Sequence, residues 1–289
     1  MRNLNEETIT EAVLERHASV ADTRLGEIMT SLVKHLHNFA REVKLTEEEW
    51  FQGIQFLTDT GHTCTDTRQE FILLSDTLGL SMLVTALNNR KPDGCTEATV
   101  FGPFHVEGAP EYELGEDVSN GAQGELCFVQ GSVRDLVGNP IPNATMEVWQ
   151  ADADGFYDVQ YEGLDHHQGR GIIHADATGR YYFKSIRAEA YPIPYDGPVG
   201  RMLTALGRHP WRPAHLHFMI KAPGYETLIT HVFRNGDQYL DSDAVFGVRS
   251  SLIADWIEHA PGKTPDGGQS STPFYTLDFD FVLNPTSAK

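Results

Sequence analysis

Cysteine is scarce. The 289 residues hold Cys64, Cys95 and Cys127, an odd number without the close pairing of a thiolate metal site. Neither a disulfide framework nor a cysteine-built zinc site is expected, and a reducing, cytoplasmic setting is the simplest one. Long apolar runs are missing as well. No stretch approaches the ~20 consecutive apolar residues of a membrane span, and Met1 to Thr10 is polar, with no apolar signal core. The Asn143-Ala144-Thr145 sequon is therefore not expected to carry a glycan. Basic residues are outnumbered, 22 Lys and Arg against 41 Asp and Glu, for a net charge of -19. Such a field repels phosphate backbones and anionic headgroups, which makes nucleic acid a poor partner and leaves small neutral or cationic molecules. What is present is a globular composition, 40% hydrophobic and 22% charged, with length enough to bury a substantial core.

The first third reads as helical. Leu25, Ile28, Met29, Leu32, Val33, Leu36, Phe39, Ala40 and Val43 recur at steps of three and four, one face of a helix. Thr46 with Glu49 three residues on is a capping box ahead of Trp50, Ile54 and Leu57, so a second helix begins there. Phe71 to Leu87 is apolar all round and is expected to form a third, the most buried of the three. Asp76 within it reads as a residue on the helix's polar face or bonded locally. His35 and His37 are two apart on a helix, where side chains diverge by about 200°, so they are expected at the surface rather than sharing a metal. Asn88 to Gly94 breaks the pattern with turn residues. A helical domain over 1–95 and a second domain over 96–289 follow, with the linker near Lys91 to Thr99.

The periodicity then changes to that of strands. Candidates are Leu126 to Val133, Ala144 to Gln150, Gly171 to Ile173, Tyr181 to Ile186, Ala214 to Ile220, Thr227 to Phe233 and Phe274 to Val282. Short strands at this density predict an antiparallel β-sandwich, an α+β chain overall, interrupted by one helix candidate at Asp243 to His259. Asp152-Ala153-Asp154-Gly155 lacks an acid at Gln150 and the bidentate Glu at Tyr161 that a calcium loop needs, and reads as a tight turn.

Within Gly207 to Ile220, Arg212 leads through Pro213 into His215 and His217. On a strand, residues two apart share a face, so both imidazoles project together, as two metal ligands or as two bonded histidines. Tyrosines within G-F-Y-D and Y-P-I-P-Y, and His231 within I-T-H-V-F, are further site candidates. With ten tyrosines present, composition alone selects none of them.

Taken together, V-F-G-P-F, W-Q-A-D-A-D-G-F-Y-D, G-R-Y-Y-F-K-S-I-R-A and G-R-H-P-W-R-P-A-H-L-H-F resemble the intradiol ring-cleaving dioxygenases, the catechol 1,2-dioxygenase family. The resemblance implies one ferric ion per subunit, held by Tyr157, Tyr191, His215 and His217. A hard Fe(III) favours anionic oxygen, and a cation in contact with a phenol can remove its proton at neutral pH. It further implies that Tyr191 doubles as general base, taking a catechol proton, and that Arg212 stabilises negative charge on the ring. Dioxygen is then inserted between the two hydroxyl-bearing carbons. Within the family the pattern is most like hydroxyquinol 1,2-dioxygenases, which cleave benzene-1,2,4-triol to a hydroxymuconate that tautomerises to maleylacetate. That likeness implies a pocket of Leu73, Asp76, Val100, Phe101, Gly102, Pro103, Ile193, Pro194, His231 and Val245, with Asp76 accepting a hydrogen bond from the third hydroxyl. Catechol-specific relatives commonly carry Gln where His231 stands. The resemblance also implies a homodimer through the N-terminal helices, with a phospholipid in an apolar tunnel there. The alternatives are a catechol or chlorocatechol 1,2-dioxygenase, a zinc hydrolase, and a transthyretin-like binding module without catalysis.

Overall fold

A computed structural model describes residues 3–17 and 20–286. The chain divides into two compact units, 1–59 and 60–289. In the first, α1 (Ile9–His17) packs on α2 (Thr23–Glu42). Asp22 caps α2 by accepting the N–H groups of Arg24 and Leu25 at 3.0 Å, and Arg41 near its end reaches back to the Glu6 carbonyl and the Thr10 hydroxyl. The predicted capping box is present: Glu49 accepts from the Thr46 N–H, and Thr46 accepts from the Glu49 N–H. It starts α3 (Glu47–Thr63), which runs across the division into the second unit. His37 Nδ1 lies 2.9 Å from the Thr10 hydroxyl while His35 is exposed, so the pair is split between two environments.

The second unit opens with the apolar stretch expected to be a single buried helix. It is two: α4 (Glu70–Thr77) and α5 (Leu80–Asn88), bent by 77° at Gly79, whose φ is +76°. Glycine alone takes that conformation without strain. Nor is the stretch the most buried. Leu73, Asp76, Thr77 and Met82 are covered, but Phe71, Ile72, Leu78, Leu80, Leu83, Val84 and Leu87 are 45–61% exposed. Periodicity identifies an apolar face without saying what covers it. Among the described residues no single helix is long and apolar enough to cross a membrane.

The remainder is the sandwich. Its strands are β1 (Leu126–Asp135), β2 (Thr145–Trp149), β3 (Arg170–His174), β4 (Arg180–Ile186), β5 (Tyr191–Pro192), β6 (Trp211–Arg212), β7 (His215–Lys221), β8 (Leu228–Arg234), β9 (Ile253–Ala254), β10 (Trp256–His259), β11 (Gly262–Lys263), β12 (Gln269–Ser270), β13 (Phe274–Asp278) and β14 (Phe281–Leu283), with α6 (Pro198–Ala205) between β5 and β6. One sheet runs β10-β13-β1-β14, with β4 on the other edge of β1; the second runs β3-β2-β7-β8-β9. Between them lies a core that includes Val129, Phe183, Leu277 and Phe281 from the first sheet and Met146, Val148, Phe218 and Val232 from the second. The pairings are mostly antiparallel, but β1–β13, β1–β14 and β8–β9 are parallel, so the sandwich is mixed. The helix expected at Asp243 to His259 is absent. That segment is a loop, a short 3-10 turn at Ser250–Leu252, then β9 and β10. Its apolar spacing is that of a turn followed by two short strands, which join different sheets.

Candidate metal centre

Three parts of the second unit meet at one place. β7 lies between β2 and β8, so His217 sits opposite Trp149 on one side and His231 on the other, and strand alternation puts His215 on the same face. Tyr191 of β5 pairs across from Arg212 of β6. Tyr157 follows the D-A-D-G turn, in which Asp152 accepts the N–H groups of Asp154 and Phe156 at 3.0 Å. Gly155 has φ +85°, and a Cβ there would lie 2.8 Å from the Tyr191 Cβ. The glycine therefore permits the turn and also the approach of the two tyrosine-bearing segments.

The four side chains converge. The Tyr157 hydroxyl lies 3.2 Å from the Tyr191 hydroxyl and 3.0 Å from His217 Nε2, and the Nε2 atoms of His215 and His217 are 3.2 Å apart. None of the four residues is more than 4% exposed. His215 Nδ1 lies 2.6 Å from the Pro213 carbonyl. A carbonyl only accepts, so Nδ1 carries the proton and Nε2 presents its lone pair.

Burial holds His215 and His217 well below the ordinary imidazole value, with Arg212 adding to the effect at His215 and His215 adding to it at His217. Both are neutral, as a ligand must be. Burial, then the neighbouring Tyr191, pushes the Tyr157 phenol well above its usual value. His217 Nε2 lies 3.2 Å from the lone pair of His215 Nε2 and 3.0 Å from the Tyr157 hydroxyl, so a cation placed among the four side chains would meet donor atoms that already converge. Bonds of ~2.1 Å in a tetrahedral arrangement would set ligand atoms ~3.4 Å apart, close to the spacings seen. Two oxygens and two nitrogens suit a hard or borderline metal ion.

Other predicted residues surround this quartet. His231 is fully buried. The Thr99 hydroxyl meets its Nδ1, and its Nε2 has no hydrogen-bond partner among the described residues. The ligand atoms of His215, His217 and His231 fall within 4.8 Å of one another, a looser set than the tyrosine–histidine quartet. Gly102, at φ +79°, lies against His217; a Cβ there would come 3.1 Å from His217 Cε1. Leu73, Pro103, Ile193 and Pro194 line a cleft of about 760 Å³ together with Phe104 and Gly155. Val245 joins Leu73 and Ile193 in an apolar cluster. Val100 is buried, and Phe101 is 40% exposed with its ring against His105 and Trp149. Asp76 is buried, not on an exposed polar face, and close enough to feel Arg212 and Asp243. Burial pushes its carboxyl up, while Ser81 and Arg212 pull the other way.

Several supporting residues escaped the sequence reading. Phe104 stacks on Tyr157 at 4.4 Å and Trp149 on His217 at 4.7 Å. Arg170, 1% exposed, pairs with Asp158 through Nε at 2.8 Å and donates to the Phe104 carbonyl at 2.9 Å. Asp243 pairs with Arg212. The tryptophan and Asp158 lie inside the quoted motifs, a usable signal. Asp243 and Arg170 are distant in sequence from their partners and carry none.

Comparison with known proteins fits this geometry. The family described as "Dioxygenase" matches residues 100–285, and that described as "Catechol dioxygenase N terminus" matches residues 22–96. The chain belongs to the intradiol ring-cleavage dioxygenase family. Among such dioxygenases it is 63% identical to a 6-chlorohydroxyquinol 1,2-dioxygenase of Cupriavidus pinatubonensis, covering 99% of this chain and all of that protein. It is 52% identical to a hydroxyquinol 1,2-dioxygenase of Nocardioides simplex, covering 97% and 96%. The crystal structure of a hydroxyquinol 1,2-dioxygenase from Pseudomonas putida superimposes with a TM-score of 0.91 at 45% identity, covering 97% of this chain and 99% of that one.

Proposed function

We propose that this dioxygenase cleaves hydroxyquinol, benzene-1,2,4-triol, between its adjacent hydroxyl-bearing carbons to give 3-hydroxy-cis,cis-muconate and thence maleylacetate, in the breakdown of aromatic compounds. The observation that carries the reading is the buried convergence of Tyr157, Tyr191, His215 and His217. These four would hold a ferric ion. When bound, it supplies Lewis acidity toward the two adjacent oxygens of the ring and the electronic coupling that lets a ring react with dioxygen.

The remaining work falls to side chains. Tyr191 accepts a proton from a ring hydroxyl, acting as general base. Arg212, buried with one Nη 3.3 Å from His215 Nε2, stabilises the negative charge that develops on the ring. The apolar cleft wall of Leu73, Pro103, Ile193 and Pro194 excludes water. Asp76 accepts a hydrogen bond from the third hydroxyl and so discriminates against rings lacking it. Names among the relatives favour the hydroxyquinol class, a chlorinated member included.

The helical region 1–95 forms a homodimer in this reading and holds a phospholipid against its apolar faces. Leu25, Ile28, Leu32, Leu36 and Phe39 of α2, with Val43 at its C-cap, are 46–55% exposed along one stripe, an apolar row of the kind that marks an interaction surface. The three free cysteines suit a reducing, cytoplasmic setting.

Oxygen uptake with hydroxyquinol, 6-chlorohydroxyquinol and catechol, on protein of measured iron content, tests the activity. Fast uptake with the hydroxyquinols and slow uptake with catechol is expected, from a wine-red protein. A colourless protein carrying stoichiometric zinc and consuming no oxygen would sink the reading.

A further inference from the structure

The Arg212 guanidinium does not reach the centre freely. Its Nε donates to Asp243 Oδ1 at 3.1 Å and one Nη to Oδ2 at 3.4 Å, while the other Nη faces His215. The same two carboxylate oxygens accept backbone N–H groups, Oδ1 from Val245 at 3.3 Å and Oδ2 from Gly247 at 2.8 Å. Four donors thus occupy a carboxylate whose side chain is 2% exposed, and a carboxylate has about four acceptor sites. It has none left over and no room to turn.

The loop that delivers this carboxylate is held from other sides. The Ala244 N–H donates to the Trp211 carbonyl on β6, and Arg208 donates to the Ala244 and Thr77 carbonyls. Phe246 takes φ +59°, the left-handed region that a bulky residue enters only when its surroundings impose it. Its ring lies under the Arg208 guanidinium at 4.9 Å. Gly247 leaves space for the ion pair: a Cβ there would come 3.0 Å from both Arg212 Nη2 and Asp243 Oδ2.

We propose that Asp243 is the positioning residue of Arg212, fixing the Nε edge of the guanidinium so that one Nη is held toward the tyrosine–histidine centre, and tying that orientation to the apolar cluster of Val245, Leu73 and Ile193. A bidentate carboxylate clamp suits this role because it sets direction as well as charge. The inference rests on the proposed part of Arg212 in facing the ring.

The test is a double-mutant cycle on iron-loaded enzyme, with hydroxyquinol as substrate, using Asp243→Asn, Arg212→Ala and both together, with Gly247→Ala as a second way to disturb the pair. Asp243→Asn is expected to lower kcat tenfold or more with KM within threefold, and with iron content and the visible tyrosinate band kept. In the Arg212→Ala background it costs less than twofold or restores activity, because a buried carboxylate without its partner is itself a liability. Gly247→Ala, which leaves both charges in place, is expected to lower kcat three- to tenfold, and it carries the test if the asparagine variant does not fold. If Asp243→Asn stays within threefold of wild type while Arg212→Ala loses activity, the positioning role alone is wrong. An undiminished loss in the Arg212→Ala background marks a structural role and overturns it too. Arg212→Ala with near wild-type kcat would instead remove the part assigned to Arg212 itself, and this inference with it.

Discussion

The sandwich centre and the stripe on α2 depart from ordinary burial in opposite ways. Around the sandwich centre, His215, His217, His231, Tyr157, Tyr191, Arg212 and Asp243, with Asp76 of α4, are all buried. Along α2 and its C-cap, six large apolar side chains in one row stay about half exposed. Burying ionisable groups costs several kcal/mol each unless they are paired, and exposing apolar surface forgoes roughly 25 cal/mol per Å². A chain that carries both departures devotes each to something other than its own fold. In the proposed reading the first suits a cation among converging donor atoms, and the second suits a second copy of the chain and a lipid. In that reading the buried cluster carries the chemistry, because burial strengthens its electrostatics and packing fixes its members. The exposed stripe has neither property.

The comparison can be broken at either end. Tyr191→Phe removes a ligand oxygen and the proposed base together, and kcat for oxygen uptake is expected to fall about a thousandfold, within the range typical of lost acid–base catalysis. A loss under tenfold would remove Tyr191 from the centre. Asp158→Ala leaves Arg170 buried without its carboxylate. Urea unfolding should show about 3–5 kcal/mol of lost stability, whereas a change below about 1 kcal/mol would mean that water reaches Arg170.

Asp76→Ala is expected to lower the hydroxyquinol-to-catechol ratio of kcat/KM tenfold or more, since an acceptor built for a hydroxyl discriminates through it; an unchanged ratio assigns the specificity elsewhere. At the other end, Leu32→Glu with Leu36→Glu places charge in the stripe. Sedimentation should turn from dimer to monomer while kcat moves less than twofold. A dimer that persists would mean the stripe is covered by something else.

Much of the fold was legible because local rules govern it. The Thr46–Glu49 box and the i, i+3, i+4 spacing of α2 follow from single-helix geometry, and both appear as read. Six strand candidates match single strands for the same reason, since alternation is a property of one segment, while Phe274 to Val282 breaks at 279–280 into β13 and β14. The readings that failed needed a neighbour. Phe71 to Leu87 has an unbroken apolar pattern, yet Gly79 bends it through 77°. Asp243 to His259 has spacing that a helix and two short strands share. Parallel pairing of β1 with β13 and β14 depends on how the C-terminal strands return, which no strand records in its own sequence.

The site divides along the same line. His215 and His217 were assigned to one face by strand alternation alone, and the turn at Gly155 by its composition. The sequence by itself determined that His215 and His217 share a strand face, because alternation is a property of one segment, while Tyr157 and Tyr191 were singled out by what the family resemblance of their motifs implies. Only the tertiary structure decided that Tyr157 and Tyr191 stand 3.2 Å apart across thirty-four residues, that Asp243 holds Arg212, and that Asp76 is buried beside them rather than solvated. Those facts depend on distances between segments remote in the chain. Such distances are set when two sheets bury their apolar faces together and the loops and α4 pack around them, not by the local preferences of any one segment.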